Sequence, residues 1–386
     1  MGKLKPEDPS FITFTLKPFI RHLGNKYGGV WDTKKGQHNL RNVKAYSILT
    51  DPSTRPPWTE IFMDQTGNPQ TKEDLLKRFK GRYDFNEDTR LGTSGTRFTI
   101  NEEPVFLYGM SYYGALSAPE ESILKDLADL KKYGFNWIRV WANWNYHGRD
   151  VSSVDGLGNP RNPYFQKLKW LVDECSREGI IVDVTLTRGK DDRGPVLQTT
   201  EAHLNAVRSI TGLLKSYNNW YLDLANERDV RDQRFVSFEE LKKLAESARE
   251  IKPSLLVTAS AGNDIDKDDL ARYILEVGVD FISPHRSRNS GSIPQTRDKT
   301  IEYLNQIRRA GKTLPVNYQE PFRRGYSDWQ PAAMDFVSDL INARAGGAAA
   351  WCFHNGGQKG SPEEKPRRSF DMSEKCLFDQ LDSTEL

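Results

Sequence analysis

Two glutamates carry the first chemical signal in this chain. Glu227 follows Asn226 just beyond the apolar run Trp220–Leu224, and Glu320 stands 93 residues later, just beyond Leu314–Tyr318. Other reactive side chains sit at the ends of similar runs: Arg139 with Trp141 and Trp144, Thr187-Arg188, His285, and Trp351 with His354 and Asn355. A carboxylate pair flanking a cleft suits cleavage of a glycosidic bond. One carboxyl protonates the leaving oxygen while the other stabilises or attacks the oxocarbenium-like carbon. Tryptophan supplies a flat apolar face on which a sugar ring stacks. Competing chemistries lack their patterns. No Ser or Cys falls in a nucleophile elbow, and His147, His203 and His354 are spread over different elements, so a Ser-His-Asp arrangement is not expected. The three cysteines, Cys175, Cys352 and Cys376, lack CxxC spacing and imply neither a disulfide framework nor a metal. No cofactor is implied.

These residues need elements to bring them together, and hydrophobic periodicity supplies them. Short β-rich runs fall at Val105–Tyr108, Trp137–Trp141, Ile180–Thr185, Trp220–Leu224, Leu255–Ala259, Phe281–Ser283, Leu314–Tyr318 and Ala348–Phe353. Between them the period changes to that of amphipathic helices, at Pro119–Tyr133, Phe165–Arg177, Glu201–Lys215, Phe238–Ile251, Asp268–Val277, Thr300–Arg309 and Gln330–Ala345. Eight βα units in about 290 residues predict an α/β fold of the (β/α)₈ barrel type over residues 96–386. A doubly wound open sheet would want a Gly-rich phosphate turn, and neither GxGxxG nor GxxxxGK[ST] occurs. In a barrel the carboxyl ends of the strands share one mouth, so Arg139, Asn226, Glu227, His285, Glu320 and Trp351 converge there. Strands four and seven stand about 14 Å apart across such a barrel, and two inward glutamates of about 4 Å each leave about 6 Å between carboxylates. That gap falls between the retaining spacing of about 5–5.5 Å and the inverting spacing of about 6.5–9.5 Å.

Asn226-Glu227 at strand four, Glu320 at strand seven, Arg139 at strand two, His285 at strand six and Trp351 at strand eight together resemble the retaining (β/α)₈ glycoside hydrolases of clan A, most nearly family 5, the cellulase and mannanase group. The resemblance implies that Glu227 is the acid/base, Glu320 the nucleophile, and Asn226 a partner of the sugar 2-hydroxyl. It places Arg139 beside Glu320, His285 along the catalytic subsite and Trp351 on its floor. The implied substrate is a β-linked polysaccharide or oligosaccharide of mannan or glucan type, cut internally. One position departs from the pattern. Two residues after the strand-six His the family often carries an aromatic hydroxyl that bonds the nucleophile, whereas this chain has Ser287, leaving Ser287, Tyr318 or Tyr326 as substitutes. Trp144 and His147 are further subsite candidates, and Met110, Tyr112 and Tyr113 stay undecided. Arg286 and Arg288 flank Ser287 and point either to an acidic or heavily hydroxylated substrate or to pairing with Asp191, Asp192 or Glu276.

Composition bounds what else the chain does. Of 386 residues 37% are hydrophobic and 28% charged, with 55 Lys+Arg against 53 Asp+Glu, the balance of a globular protein. Residues 1–95 read differently, as an irregular extension punctuated by proline and glycine. The first hundred residues hold 17 Lys+Arg against 11 Asp+Glu. Such a basic arm could meet nucleic acid, but no RNP, zinc-finger or helix-turn-helix pattern accompanies it, so no nucleic-acid partner is expected. The longest uncharged stretch with apolar weight, Gly346–Gly357, holds four glycines, His354 and Asn355, too polar to span a bilayer. The apolar stretch Phe11–Ile20 is broken by Lys17 and Pro18, so no secretory signal is read, although a polysaccharide substrate would call for action outside the cell. Two other readings remain at this stage: a barrel that binds carbohydrate without turnover, and a phosphate-handling lyase or isomerase.

Overall fold

The computed structural model describes residues 89–146, 148–189, 197–357, 359 and 367–386, together with five short strands nearer the amino terminus. The chain divides into two compact units, Met1–Asp84 and Phe85–Leu386. In the first, strands Gly29–Asp32, Gln37–Leu40, Val43–Tyr46, Phe62–Met63 and Pro69–Gln70 pair in sequence order, all antiparallel. Residues 89–95 of the basic arm belong to the second unit, and the remainder of the arm lies outside the described residues.

The second unit begins with a three-stranded antiparallel meander, Leu91–Ser94, Arg97–Ile100 and Glu103–Val105. Here the expected strand Val105–Tyr108 is corrected: Val105 closes the meander by pairing with Phe98, and the barrel strand starts at Leu107. No turn residue interrupts Val105-Phe106-Leu107-Tyr108, so apolar content alone cannot separate the two.

Eight parallel strands follow: β1 (Leu107–Ser111), β2 (Trp137–Trp141), β3 (Ile181–Thr185), β4 (Trp220–Asp223), β5 (Val257–Thr258), β6 (Ser283–Pro284), β7 (Asn317–Tyr318) and β8 (Ala350–Phe353). β1 to β5 pair in order, and β8 pairs with both β1 and β7. Ser260–Ala261, just past β5, pairs with β6, and the bridge between Ile282 and Val316 joins β6 to β7, which closes the ring. The seven intervening helices are α1 (Glu120–Lys132), α2 (Tyr164–Glu178), α3 (Thr200–Leu214), α4 (Phe238–Ile251), α5 (Lys267–Arg272), α6 (Thr296–Arg309) and α7 (Ala333–Gly346). α4 starts on a capping box, Ser237 with Glu240, which satisfies two orphan amides reciprocally. α5 is shorter than expected because the chain widens into a π turn over Tyr273–Val277.

Strand periodicity sorts the side chains into two cores. Outward residues of the strands pack under the helices, while Leu107, Trp137, Ile181, Tyr221, Phe281 and Cys352 face inward as one apolar cluster with Phe98 of the meander. The Phe98 ring meets that of Phe281 edge-on at 4.9 Å, so the meander plugs the end of the barrel remote from the site. Gly109 makes room for this cluster, since a Cβ there would lie 2.0 Å from the Trp137 ring.

Two residues further along β2, β3 and β4 the interior becomes ionic. Arg139, fully buried, donates from Nε to Asp183 at 3.1 Å and from Nη2 to Asp223 at 3.0 Å and Asn226 at 2.9 Å. Asp183 also accepts from the Tyr221 hydroxyl at 3.0 Å and from Gln319 Nε2 at 2.7 Å. Burial pushes the Asp183 carboxyl up to about 7, against the opposing pull of Arg139. This layer is the platform on which the site rests.

Candidate active site

Glu227 and Glu320 meet at the carboxyl end of the barrel, just past β4 and β7. Glu227 sits in the left-handed region with φ of 47°, and its amide donates to Ser260 Oγ at 3.1 Å. A non-glycine residue there costs backbone energy, a feature that concentrates where geometry serves function. Arg139 Nη1 donates to Glu320 Oε1. His285, fully buried, holds Nδ1 at 3.3 Å from Glu227 Oε1 and 3.6 Å from Glu320 Oε2. Asn226 lines the same cavity.

Three further arginines change the electrostatics of the pair. Arg234 Nη1 donates to Glu227 Oε2. Arg288 Nη2 bridges the two acids, 3.1 Å from Glu227 Oε1 and 2.7 Å from Glu320 Oε2. Burial alone would raise the Glu227 carboxyl, but the His285 hydrogen bond and the Arg288 charge override it and hold Glu227 at about 2. Glu320 follows the same balance: burial is outweighed by His285 and Arg139, and its carboxyl lies well below the usual carboxylate range.

The third, Arg323, begins a relay that ends on Tyr113, beside Glu320. Its guanidinium has only donors, so His354 Nε2, 2.9 Å from Arg323 Nη1, must accept. His354 then carries its hydrogen on Nδ1 and donates it to the Tyr113 hydroxyl oxygen at 2.9 Å, and burial together with the nearby Glu320 charge pushes the Tyr113 phenol well above its usual range. Burial pushes His354 well below the usual histidine range, consistent with this neutral tautomer. Tyr113, just past β1, thus places an aromatic hydroxyl in the cavity that Glu320 also lines.

Aromatic side chains wall the cavity, which has a volume of about 260 Å³. Trp141 and Trp144 meet edge-on at 4.7 Å, and Trp144 Nε1 donates to the carbonyl of Phe370, whose ring is also part of the wall. The buried Trp141 indole N–H has no acceptor among the described residues.

Not every expected residue arrives. Trp351 does not reach the cavity: it is 1% exposed, and its Nε1 donates to Asp339 of α7 at 2.8 Å. Tyr318 is likewise turned to the helices, its hydroxyl 2.6 Å from Thr300 Oγ1 of α6. Both follow from strand alternation: Cys352 and Asn317 point inward, so Trp351 and Tyr318 point out. Tyr326 does line the cavity, whereas Ser287 is not among its lining residues. Arg286 pairs with Asp264 at 2.8 Å and Glu276 with Arg272 at 2.9 Å, so the pairing of Glu276 with the arginines beside His285 is not made. His147, Asp191 and Asp192 lie outside the described residues. Sequence reasoning left Tyr113 undecided and did not reach Arg234, Arg323, Lys359 or Phe370. Arg288 was flagged only by its neighbours.

Donor atoms of Glu227, His285 and Glu320 lie within 4.8 Å of one another, close enough to hold a metal ion. The same carboxylates already receive the guanidiniums of Arg139, Arg234 and Arg288, and these charges oppose a cation there.

No family model matches this chain, and no curated protein matches it. Solved structures do share its fold. A structure described as a glycoside hydrolase of Bacteroides vulgatus aligns with 16% identity and a TM-score of 0.58 over 77% of this chain, which spans 59% of that one. An endo-1,4-β-mannanase of Rhizomucor miehei aligns with 14% identity and a TM-score of 0.53 over 69% of this chain and 90% of its own. A family 5 mannosidase of the same organism aligns with 13% identity and a TM-score of 0.55 over 75% and 92%. At these identities the likeness is one of fold, and it falls on the family that the sequence resembles.

Proposed function

We propose that this protein is a retaining glycoside hydrolase that cleaves β-linked oligosaccharide or polysaccharide by double displacement, with Glu320 as nucleophile and Glu227 as acid/base. The observation that carries the reading is the pair itself: an oxygen of each carboxylate lies within 4.8 Å of the other, just past strands four and seven. That spacing suits the retaining mechanism, in which no water has to fit between nucleophile and sugar. Glu320 attacks the anomeric carbon while the departing oxygen takes a proton from Glu227. Arg139 and His285 keep Glu320 ionised for that attack. Esterification removes the Glu320 charge, and Glu227 then takes a proton from the water that releases the sugar. The mannanase and mannosidase likenesses favour a mannan-type backbone over glucan, and internal cleavage over removal of terminal sugars is the reading taken here.

The test uses two variants and aryl glycosides. Glu320→Ala should lose turnover, recover part of it with external azide, and give a product of inverted anomeric configuration. Glu227→Ala should still form the glycosyl-enzyme from substrates with good leaving groups and stall at its hydrolysis. Identical behaviour of the two variants would refute the separate roles.

A further inference from the structure

The cavity carries more positive charge than a neutral sugar needs. Arg234, Arg288, Arg323 and Lys359 line it against two carboxylates, Glu227 and Glu320. Three of these cations gather at one ring: Arg323, Arg288 and Lys359 lie 4.9, 5.1 and 4.8 Å from the centroid of Tyr326. Like charges brought this close repel, and an anion between them would relieve the repulsion. Arg288 Nε is buried and has no acceptor among the described residues, although Nη2 of the same group is engaged twice. Guanidinium and ammonium donors gathered on one side of a cavity are a ready receptor for a planar or tetrahedral oxyanion.

The same arginines also bear on the chemistry. Arg234 and Arg288 each hold one oxygen of Glu227, the group that must carry a proton to act as an acid. A neutral substrate leaves that clamp closed. An anionic substituent competes for the guanidiniums, draws them from Glu227 and adds its own negative charge, and both effects favour the protonated acid.

From this arrangement we infer that the substrate is a glycan whose sugar at or beside the cleavage point bears an anionic oxyanion group, a carboxylate or a sulfate ester, received by Arg288, Arg323 and Lys359. This rests on the glycoside hydrolase reading above and adds the substrate class to it.

The full chain is assayed with 4-nitrophenyl β-glycosides in matched sets, neutral hexoside, hexuronide and hexoside 6-sulfate, of the manno and gluco series. Binding of the corresponding methyl glycosides is measured separately by calorimetry. The expected result is a kcat/KM at least about tenfold higher for one anionic member than for its neutral counterpart, the size of one charge-assisted hydrogen bond, and a preference that shrinks with added salt. Which anionic member prevails distinguishes carboxylate from sulfate. In Arg323→Gln and Lys359→Gln, verified as folded by circular dichroism, the anionic-to-neutral ratio should fall about tenfold. Turnover of the neutral glycoside at an equal or higher rate overturns the anionic assignment and leaves the hydrolase reading standing. Selective binding of the anionic glycosides with no turnover of any member supports the cavity assignment and sinks the hydrolase reading. Absence of both binding selectivity and turnover overturns the two together.

Discussion

Replacing Arg139 by methionine tests whether the ionic layer holds the barrel together as well as tuning the site. The Arg139 side chain is fully buried and faces Asp183, Asp223 and Glu320, which are 0, 0 and 7% exposed. Removing one partner of a buried ion pair costs about 3–5 kcal/mol, because the other charge stays desolvated. Three carboxylates share this one guanidinium, but each can escape by protonating, so the costs do not add. An overall loss of about 5 kcal/mol near pH 8 is expected, a large part of the roughly 5–15 kcal/mol of a typical domain. The sign of the pH dependence follows from Asp183, whose carboxyl is lifted to about 7 with Arg139 in place and rises further without it. A carboxyl raised on folding contributes stability that is complete below its unfolded value and is lost as pH rises through its folded value. The deficit of the variant should therefore be smallest near pH 5 and widen toward pH 8. Urea unfolding followed by circular dichroism at the two pH values measures it. A loss under about 1 kcal/mol at pH 8, or a deficit that does not change with pH, would refute the account of the layer.

Three further outcomes follow from individual contacts. Tyr113→Phe should lower kcat severalfold with little change in KM, because it removes the hydroxyl that holds His354 beside Glu320, a bond worth about 0.5–1.5 kcal/mol, and steady-state kinetics on an aryl glycoside will show whether it does. Trp351→Phe should cost about 1–3 kcal/mol of stability through the orphaned Asp339 and leave KM for sugars unaltered, whereas a large rise in KM would return Trp351 to the sugar-binding surface. Glu240→Gln should destabilise by about 1 kcal/mol at neutral pH through the weakened capping box. Burial works against the Glu240 charge, but Thr200, the Ser237 amide and Arg188 hold its carboxyl at about 2. Stability from a depressed carboxyl is present above its unfolded value and lost as pH falls toward the folded one, so melting temperatures of variant and parent should converge between pH 4.5 and pH 2.

The barrel was legible in the sequence because each of its strands is a dense apolar run between helices of clear period. Phe238–Ile251 matches its helix end to end, since Ser237 and Glu240 mark the start and the apolar face marks the length. The first strand was misplaced for the opposite reason. Val105 and Leu107 are equally apolar, and only long-range pairing, with Phe98 on one side and Ala349 or Ala350 on the other, assigns them to different sheets. Local pattern holds no information about such partners.

For the site, position along a strand was legible but direction was not. Glu227, Glu320 and His285 lie past strand ends and Arg139 lies mid-strand below them, and they converge because every one of these side chains points toward the axis. Trp351 and Tyr318 lie at the same ends, one register step out of phase, and that single step sends them to the helices. A sharper signal was present in β3 and β4: Asp183 and Asp223 are charged residues inside apolar runs, Ile-Val-Asp-Val and Trp-Tyr-Leu-Asp. A charge in a buried strand requires a partner of opposite sign. Arg139, the one basic residue among the eight apolar runs, is that partner, which fixes the inward face of β2, β3 and β4 at once. The register of Arg139 then extends along β2 to Trp141, which lines the cavity, and shows that the polar interior of this barrel and its candidate active site are a single electrostatic unit.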